Sequence, residues 1–395
     1  MRLEDACLLI ADCPHTTAPD EGEGYPLVRT PNVGFGRLVY DSMHRVSEEV
    51  YLGRNRRATP QAGDLIYARE APAGNVAVIR EGEKVCLGQR TVLLRPNPCI
   101  VDSNYLAYYL LAPENRHRLV SQASGATVAH VNIPVIRDLP VSFPNLQKQQ
   151  KAAAILNDLY SAIDNARRQI ALLEEAAMRL YREWFGDGKG KKKPLGEFVE
   201  ITTSGSWGTD AKTVKTPNEV VCIRGADFEE IHGRSLGKQI RRFISDKHLV
   251  ERSLKDGDLV VEMSGGSPTQ STGRVVSISD MLLARYGVPV LATNFCKVVR
   301  PKSGYSHFLY LAWRDLYVSR IMFNYEVGTT GIKNFDYDLF VSDVEVTNPL
   351  PKLTQFNGLV DGMFSSIDML GSLVQDLTEA RDRLLPKLMS GEIEV

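Results

Sequence analysis

Two long stretches of the chain carry apolar residues at a spacing of three and four, the pattern of a helix that packs along one narrow seam. The first stretch, 146–185, contains neither proline nor glycine, and the second lies within 351–395. Seven seam positions of each stretch match at an offset of 204 residues. They are Ile163, Ala166, Ile170, Leu173, Ala177, Leu180 and Trp184, and then Ile367, Leu370, Val374, Leu377, Arg381, Leu384 and Leu388. The pattern predicts one long helix in each half of the chain.

The second helix is predicted to be less regular than the first. Arg381 interrupts its apolar seam, and the glycines at 358, 362 and 371 lower its helix propensity. Pro386 is expected to bend or end the helix, because proline has no N–H to donate and its ring clashes with the preceding turn.

Shorter apolar runs outside these helices predict a mixture of strands and helices. Strands are expected at LIYAREA (65–71), NVAVI (75–79), TVLLRP (91–96), LVVEM (259–263), RVVSI (274–278) and CKVV (296–299). A helix is expected to start in YLAYYLLAP (105–113), and another to cover HFLYLAWRDLYVSRIMF (307–323). The fold class predicted for both globular parts is therefore α+β.

Short motifs recur in the same order in the two halves, which indicates an internal duplication. The matched motifs are Leu3-Glu4-Asp5 with Leu195-Gly196-Glu197, Leu27-Val28-Arg29 with Cys222-Ile223-Arg224, Gly63-Asp64 with Gly257-Asp258, Leu94-Arg95-Pro96 with Val299-Arg300-Pro301, Tyr105-Leu106 with Phe308-Leu309, and Gly125-Ala126-Thr127 with Gly328-Thr329-Thr330. Each match is weak alone, but their common order predicts two copies of one domain.

The repeat also predicts how the chain is organised. The expected parts are a first globular domain (1–145), a first long helix (146–185), a linker (186–194), a second globular domain (195–350) and a second helix with a tail (351–395). The simplest burial for each seam is against the other, as an antiparallel coiled coil with pseudo-two-fold symmetry. The linker is rich in Gly and Lys, and its lysines at 189 and 191–193 fit either a solvated connector or a phosphate contact.

Composition and charge exclude several classes of protein. The chain has 47 Lys+Arg against 48 Asp+Glu, a net charge of −1, and is 43% hydrophobic, as in a globular protein of two to three domains. No apolar run approaches the ~18 residues that a membrane span needs, so a cytoplasmic location is expected. Six cysteines without a CxxC pair predict reduced core thiols and no zinc site.

Catalytic signatures are absent from the sequence. There is no GxxxxGK[ST] loop, GxGxxG turn, GxSxG elbow or HExxH helix, and no Asn/Asp-Pro-Pro-aromatic motif of an adenine methyltransferase. Asp64 and Asp258 could suggest nuclease carboxylates, but the lysine expected after the second acid is missing, so both are predicted to lie in turns before strands. The chain is therefore predicted to be non-catalytic.

Several segments resemble the DNA-specificity subunit of type I restriction–modification systems. They are GDLIYAREAPAGNVAVI (63–79), CLGQRTVLLRP (86–96), LPVSFPNLQKQQKAAAILNDLYSAID (139–164), DGDLVVEMSGG (256–266), NPLPKLTQF (348–356) and the tail RLLPKLMSGEIEV (383–395). The resemblance covers nearly the whole chain. It departs from the family pattern at Lys148-Gln149, where a Glu-Gln pair is usual, and in the glycine-interrupted second helix.

The resemblance implies a division of labour between subunits. Each globular domain would read one half of a bipartite double-stranded DNA target, and the helices would set the spacer and bind two modification subunits. Those partners would hold S-adenosylmethionine and methylate adenine N6, and ATP-dependent restriction subunits can join. This chain would bind no cofactor and no metal. The alternatives left open are a scaffold that bridges two proteins without DNA, and a standalone DNA-modifying enzyme.

Candidate DNA-contacting residues are those whose side chains can reach groove edges or phosphates. They are Arg54, Asn55, Arg56, Arg57, Arg69, Gln89, Arg90, Thr127, His130 and Asn132 in the first domain, and Lys212, Lys215, Arg224, Lys238, Arg241, Arg242, Ser264, Ser267, Thr329, Thr330, Lys333 and Asn334 in the second. Trp207 could pack on sugars or thymine methyl groups. Any of these residues could instead be solvated surface, and Arg69 and Arg90 could be structural ion-pair residues. The outer faces of the helices are the expected docking surface for modification subunits.

Overall fold

The structure is a computed structural model that describes residues 1–122, 130–186, 188, 190–267, 269–328, 332–350 and 352–395. The chain divides into two compact units. Unit 1 consists of Met1–Ser161 and Thr378–Val395, and unit 2 is Ala162–Leu377. The boundary between the units passes through both long helices, so each unit contains one globular domain and a part of each helix.

Unit 1 is an α+β unit whose strands form two sheets. Its strands are β1 (Cys7–Asp12), β2 (Tyr25–Val28), β3 (Phe35–Gly36), β4 (His44–Val46), β5 (Leu65–Ala68), β6 (Val76–Val78), β7 (Cys86–Leu87) and β8 (Thr91–Pro96). Its helices are α1 (Glu48–Arg54), α2 (Ser103–Leu111), α3 (Pro113–Ser121), α4 (Ile133–Arg137) and the first part of α5 (Leu146–Phe185). The larger sheet has the order β1–β8–β5–β6–β3 and the smaller one β4–β2–β7.

The larger sheet of unit 1 is buried on both faces, which explains its unbroken apolar runs. Along β5, Leu65 and Tyr67 join the cluster that contains α2, whereas Ile66 and Ala68 join a cluster with β2. Helix α2 starts at Ser103 because the Asp102 carboxylate accepts the N–H of Tyr105 at 2.9 Å. The three predicted strands and the predicted helix of this half are confirmed.

Unit 2 repeats this plan. Its strands are β9 (Lys192–Pro194), β10 (Val199–Ser204), β11 (Asn218–Ile223), β12 (Ile240–Ile244), β13 (Leu259–Glu262), β14 (Ser264–Gly265), β15 (Val275–Ser277), β16 (Val290–Ala292), β17 (Cys296–Pro301), β18 (Glu326–Val327), β19 (Lys333–Phe335) and β20 (Glu345–Thr347). Its helices are α6 (Phe228–His232), α7 (Asp246–Arg252), α8 (Asp280–Ala284), α9 (Ser306–Val318), α10 (Tyr337–Asp343) and part of α11 (Leu353–Ser390).

Strand order confirms the duplication. The sheet β10–β17–β13–β15 matches β1–β8–β5–β6, and β12–β11–β16 matches β4–β2–β7. The bulge in the β1–β8 pairing recurs in β10–β17, where the register shifts between Val199 and Ile201. The predicted strands of the second half are confirmed, but helix α9 ends at Val318, since Arg320 adopts a left-handed conformation (φ 64°) before a short 3₁₀ turn.

The two Gly-Asp motifs form equivalent turns before β5 and β13. Both carboxylate oxygens of Asp64 bond the Arg95 guanidinium at 2.8 Å, and those of Asp258 bond Arg300 at 2.7 and 2.8 Å. Each aspartate also accepts the N–H of the residue three positions earlier, at 2.9 and 2.8 Å. These motifs are therefore structural, as the sequence predicts, and the arginine of the matched Leu/Val-Arg-Pro motif is their partner.

Within each unit the two helix parts pair antiparallel. In unit 1 the Arg381 guanidinium lies 5.1 Å from the centre of the Tyr160 ring, which explains the charged residue in the seam. In unit 2, Phe185 packs on Phe356 with ring centres 5.1 Å apart, and Ile163 clusters with Val374. Of the predicted seam, Ile163, Ile170, Ile367 and Val374 are buried, whereas Leu173, Leu180, Leu370, Leu377 and Leu384 are partly buried.

Pro386, which was expected to bend or end the second helix, does not end it. Helix α11 continues through Pro386 to Ser390, because Leu385, Leu388 and Met389 are buried in the unit 1 core and offset the missing hydrogen bond. Helix α5 also buries residues beside its seam. Tyr181 and Phe185 of α5 join the core of the second globular domain, where both contact Phe308.

The linker and the cysteines also differ from expectation. Residues 192–194 form β9, which pairs with β20, so the end of the predicted linker is part of the second domain. Cys99 is exposed, whereas burial raises the pKa of Cys7 and Cys296 to about 12.

No helix in the described part of the chain is long and apolar enough for a bilayer span. Among the described residues, no cluster of His, Cys, Asp and Glu could hold a metal ion.

Candidate nucleic-acid interface

Three segments meet at the same end of the large sheet in each unit. In unit 1 the N–H of Arg69 donates to the carbonyl of Arg90 at 2.9 Å, and the N–H of Val131 donates to the carbonyl of Arg69 at 3.1 Å. In unit 2 the N–H of Met263 donates to Phe295 at 2.9 Å, and that of Phe335 donates to Met263 at 2.8 Å. The two units therefore present side chains from equivalent backbone positions.

The unit 1 position is a network of charged side chains. The Glu70 carboxylate contacts both the His130 ring and the Arg90 guanidinium, the latter at 2.9 Å. His130 also contacts Arg69, so its ring is held between a carboxylate and a guanidinium. Arg90 stays 59% exposed while it is bonded to Glu70. This places a cationic tip at the surface and fixes it through one of its five N–H donors.

The unit 2 position carries uncharged polar groups instead. The Ser264 hydroxyl donates to the Asn334 side-chain oxygen at 2.6 Å, and the exposed Asn334 keeps its amide donors for other partners. Lys333 is next to it and bonds Glu326 at 2.6 Å. Burial would raise the pKa of Glu326, but hydrogen bonds from Lys333 and Thr272 hold it below the ordinary value. The Glu326 carboxylate thus holds Lys333 beside Asn334.

An apolar hollow adjoins the unit 2 position. It encloses about 350 Å³, and its walls include Trp207, Phe295, Ile332 and Arg224. Phe295 and Ile332 are 56% and 69% exposed and lie together in the wall of this hollow, so the hollow has an apolar rim open to solvent. The Arg242 guanidinium lies 4.1 Å from the centre of the Trp207 ring. Polar donors, a stacked cation and exposed apolar groups are the components of a surface that contacts base edges and sugars.

The comparisons with known proteins all indicate the same family. The type I restriction modification DNA specificity domain matches residues 10–175. The MjaIX specificity subunit of Methanocaldococcus jannaschii is 26% identical over 354 residues, covering 84% of this chain and 78% of that protein. The HindI specificity subunit of Haemophilus influenzae is 20% identical over 400 residues, covering 84% and 86% of the two chains.

A solved structure agrees with the fold. The type I restriction–modification S subunit from M. genitalium superposes with a TM-score of 0.58 and 14% identity, over 98% of this chain and 95% of that one. The first half of the chain thus matches a type I restriction modification DNA specificity domain, and most of the chain is similar to type I specificity subunits. The family resemblance stated from the sequence is confirmed.

Three residues predicted to contact DNA are instead buried. The Arg54 guanidinium donates to the carbonyls of Leu87, Thr16 and Pro14 at 2.7, 3.0 and 3.3 Å, and its burial lowers its pKa. Asn55 donates to the Val85 carbonyl at 3.3 Å. Arg69 donates to the Val131 carbonyl at 2.8 Å and pairs with Asp12 at 3.1 Å.

Those three side chains hold loops in place and do not face solvent, so the prediction of direct contact is wrong for them. Arg224 also has a structural role. Its guanidinium bonds both oxygens of Asp227 at 2.9 and 2.7 Å, which raises its pKa and leaves the side chain partly exposed.

The other described candidates are exposed or partly exposed. Gln89 is held by the His15 carbonyl at 2.5 Å, Arg241 pairs with Glu219 at 2.9 Å, and Arg242 pairs with Asp210. Five of these candidates are exposed and form no ion pair with a described residue: Arg56, Arg57, Lys212, Lys215 and Lys238. Asn132 is exposed at the start of α4, and Ser267 closes a turn with Gln270. Thr127, Thr329 and Thr330 lie outside the described residues.

Sequence reasoning missed the apolar part of the interface. Phe295 and Ile332 were not candidates, because an isolated apolar residue gives no sign of exposure in a sequence. The internal duplication does contain a signal that could have identified Phe295. Phe295 occupies the backbone position of Arg90 in the other copy, as their hydrogen bonds to Met263 and Arg69 show. Aligning predicted readers between the copies would have found it.

Proposed function

We propose that this chain is a specificity subunit that reads a bipartite DNA target, one half with each globular domain, and directs adenine-N6 methylation by partner modification subunits. Where restriction subunits join, the same reading directs cleavage. Double-stranded DNA and two modification subunits are the partners in this proposal, and S-adenosylmethionine belongs to the modification subunit.

One observation carries the proposal. The two units share one backbone frame but differ in the polar groups that they place on it. Glu70, His130 and Arg90 in unit 1 are replaced by Ser264, Asn334 and Phe295 in unit 2. A scaffold that is kept while its exposed side chains change is suited to reading two different base sequences, because base identity is read by donor and acceptor pattern.

The readers differ in chemistry, so the two half-sites are expected to differ in sequence. An arginine such as Arg90 prefers the O6 and N7 acceptors of guanine, and an asparagine such as Asn334 can bond adenine at N6 and N7. The apolar hollow beside Asn334 suits a thymine methyl group. These base preferences are part of the proposal, and they predict which bases of each half-site a substitution should affect.

Deleting the gene is expected to remove one split adenine-methylation motif from the genome of its host. Sequencing the methylome of the deletion strain and its parent measures this directly. A plasmid copy of the wild-type gene is the control, and it should restore the same motif. Methylation that is unchanged by the deletion, or a lost motif without an unread gap, would contradict the proposal.

A further inference from the structure

A short segment of unit 2, Thr209–Thr216, projects from the second globular domain, and we call it the finger. Thr213 and Thr216 exchange backbone hydrogen bonds of 3.3 and 3.2 Å, which closes a tip of two residues, Val214 and Lys215. The Thr216 hydroxyl contacts those of Thr209 and Thr213 at 3.1 and 2.8 Å. The finger is therefore internally braced and needs little further ordering to bind a partner.

The residue at the tip is unusual for its place. Val214 is 100% exposed, the highest exposure among the large apolar residues of the described chain. Tight turns favour Gly, Asn and Asp, and a β-branched apolar side chain gains nothing from this position in the isolated subunit. A partner that covers Val214 would explain its presence.

Charge identifies the class of partner. Lys212 and Lys215 flank Val214, and both are exposed without an ion pair to any described residue. Two free ammonium groups about an apolar tip match a nucleic-acid groove, where phosphates line both edges and sugars and base edges form the floor. A protein surface would have to be acidic to match them.

The finger is attached to the candidate interface. Thr209 and Phe243 exchange backbone hydrogen bonds of 2.9 and 3.0 Å, which ties the finger to β12. The same strand carries Arg242, whose guanidinium lies over the Trp207 ring at the wall of the apolar hollow. The finger and the predicted readers of unit 2 therefore belong to one surface.

The described loop between β1 and β2 of unit 1, residues 13–24, has no tip closed by an exchange of backbone hydrogen bonds. That loop contacts β4 through Glu21, whose N–H donates to the Arg45 carbonyl at 2.8 Å. Its surroundings are acidic: Asp20 accepts the N–H groups of Arg45 and Gly22 at 3.0 and 3.2 Å, and Glu23 follows. Acidic side chains repel phosphates, so this part of unit 1 cannot make the same contact.

We propose that the finger enters a groove of the DNA target beside the half-site that unit 2 reads. Val214 packs on sugar or thymine-methyl surface, and Lys212 and Lys215 neutralise phosphates on either side of it. The finger is then a specificity-determining element of one half-site only. This inference rests on the proposed function, because it assumes that unit 2 faces DNA.

The test uses the complete complex of this chain with its modification subunits and a duplex that carries the methylated motif. With Lys212→Ala and Lys215→Ala combined, the slope of log affinity against log salt concentration should become shallower by about two. With Val214→Ala, affinity should fall by about fivefold. Duplexes altered in one half at a time should show that discrimination is lost only in the half-site that Arg90→Ala leaves intact.

Matched controls lie on the opposite end of the same domain. Lys255 is exposed in the turn before β13, and Met281 is 41% exposed on α8, whose first residue bonds that turn. Lys255→Ala and Met281→Ala should leave affinity and salt slope unchanged. All variants should still bind modification subunits, which pull-down of the tagged chain measures.

Three results would contradict the proposal that the finger enters a DNA groove. They are an unchanged salt slope in the double lysine variant, an unchanged affinity for Val214→Ala, and a loss of modification-subunit binding in either variant, which would make the finger a protein contact. If the wild-type complex showed no preference for the motif at all, the proposed function itself would fail. The measurement on the wild-type complex therefore distinguishes a failure of the finger proposal from a failure of the proposed function.

Discussion

Asp258→Ala is expected to lower the free energy of unfolding of unit 2 by about 3 kcal/mol. Asp258 is fully buried, and both of its oxygens bond the Arg300 guanidinium. Without the carboxylate, the guanidinium is left unpaired at the edge of the core, and the N–H of Lys255 loses its acceptor. Hydrogen exchange of the β13 amides measures the change, because these amides open with the core of the unit.

Duplication makes this result a paired prediction. Asp64→Ala should destabilise unit 1 by a similar amount, read from the amides of β5, because Asp64 makes the same bonds with Arg95 and is 2% exposed. Glu81→Ala and Glu251→Ala remove exposed acids from the same two units and should change stability by less than about 0.5 kcal/mol. A loss below about 1 kcal/mol in either aspartate variant would show that the turns are not held as described.

Phe356→Ala is expected to destabilise unit 2 by about 3–5 kcal/mol, since it opens a cavity where the two helices meet the second domain. The Phe356 ring is fully buried, with its centre 5.1 Å from that of Phe185 and 6.0 Å from that of Trp184. For a unit of this size the midpoint of thermal unfolding should fall by roughly 10 °C. Calorimetry of the intact chain measures it.

The matched control lies three residues further along the same helix. Leu359 is 45% exposed, so Leu359→Ala should change the midpoint by no more than about 2 °C. If Phe356→Ala unfolded at the same temperature as Leu359→Ala, the aromatic contact between the helices would contribute little to the stability of unit 2.

The regular elements could be predicted from the sequence because their signals are local. Helix α5 begins and ends at the predicted residues, and the turn role of Asp64 and Asp258 followed from their position before apolar runs. The side of α5 that is buried could not be predicted as well. Leu180 and Trp184 fit the seam, yet Tyr181 and Phe185 are the buried residues, because the end of the helix packs on the second globular domain.

The second helix shows why propensity alone misleads. Gly371 was expected only to weaken it, but a Cβ at this position would lie 2.3 Å from Cβ of Arg234. The glycine lets the helix approach the loop whose Arg234 guanidinium pairs with Asp368 at 3.1 Å. The cost of glycine in a helix, about 1 kcal/mol, is thus offset by a contact that no local pattern shows.

The candidate site was less predictable than the fold. Residue type alone cannot separate an exposed arginine from one such as Arg54, whose donors all meet backbone carbonyls. It also cannot find Phe295 or Val214, since only three-dimensional structure shows that these apolar side chains face solvent. The duplication was the stronger signal, because it identifies positions where two copies of one frame differ.

The central claim is that each copy of the domain reads its own half of the target. The most direct measurement is the methylome of two strains, one with Arg90→Ala and one with Asn334→Ala, both in exposed positions of the matched sites. The account predicts that each variant relaxes one half of the split motif, that the two halves differ, and that the other half stays intact. Relaxation of the same half by both variants, or of both halves by either one, would contradict it.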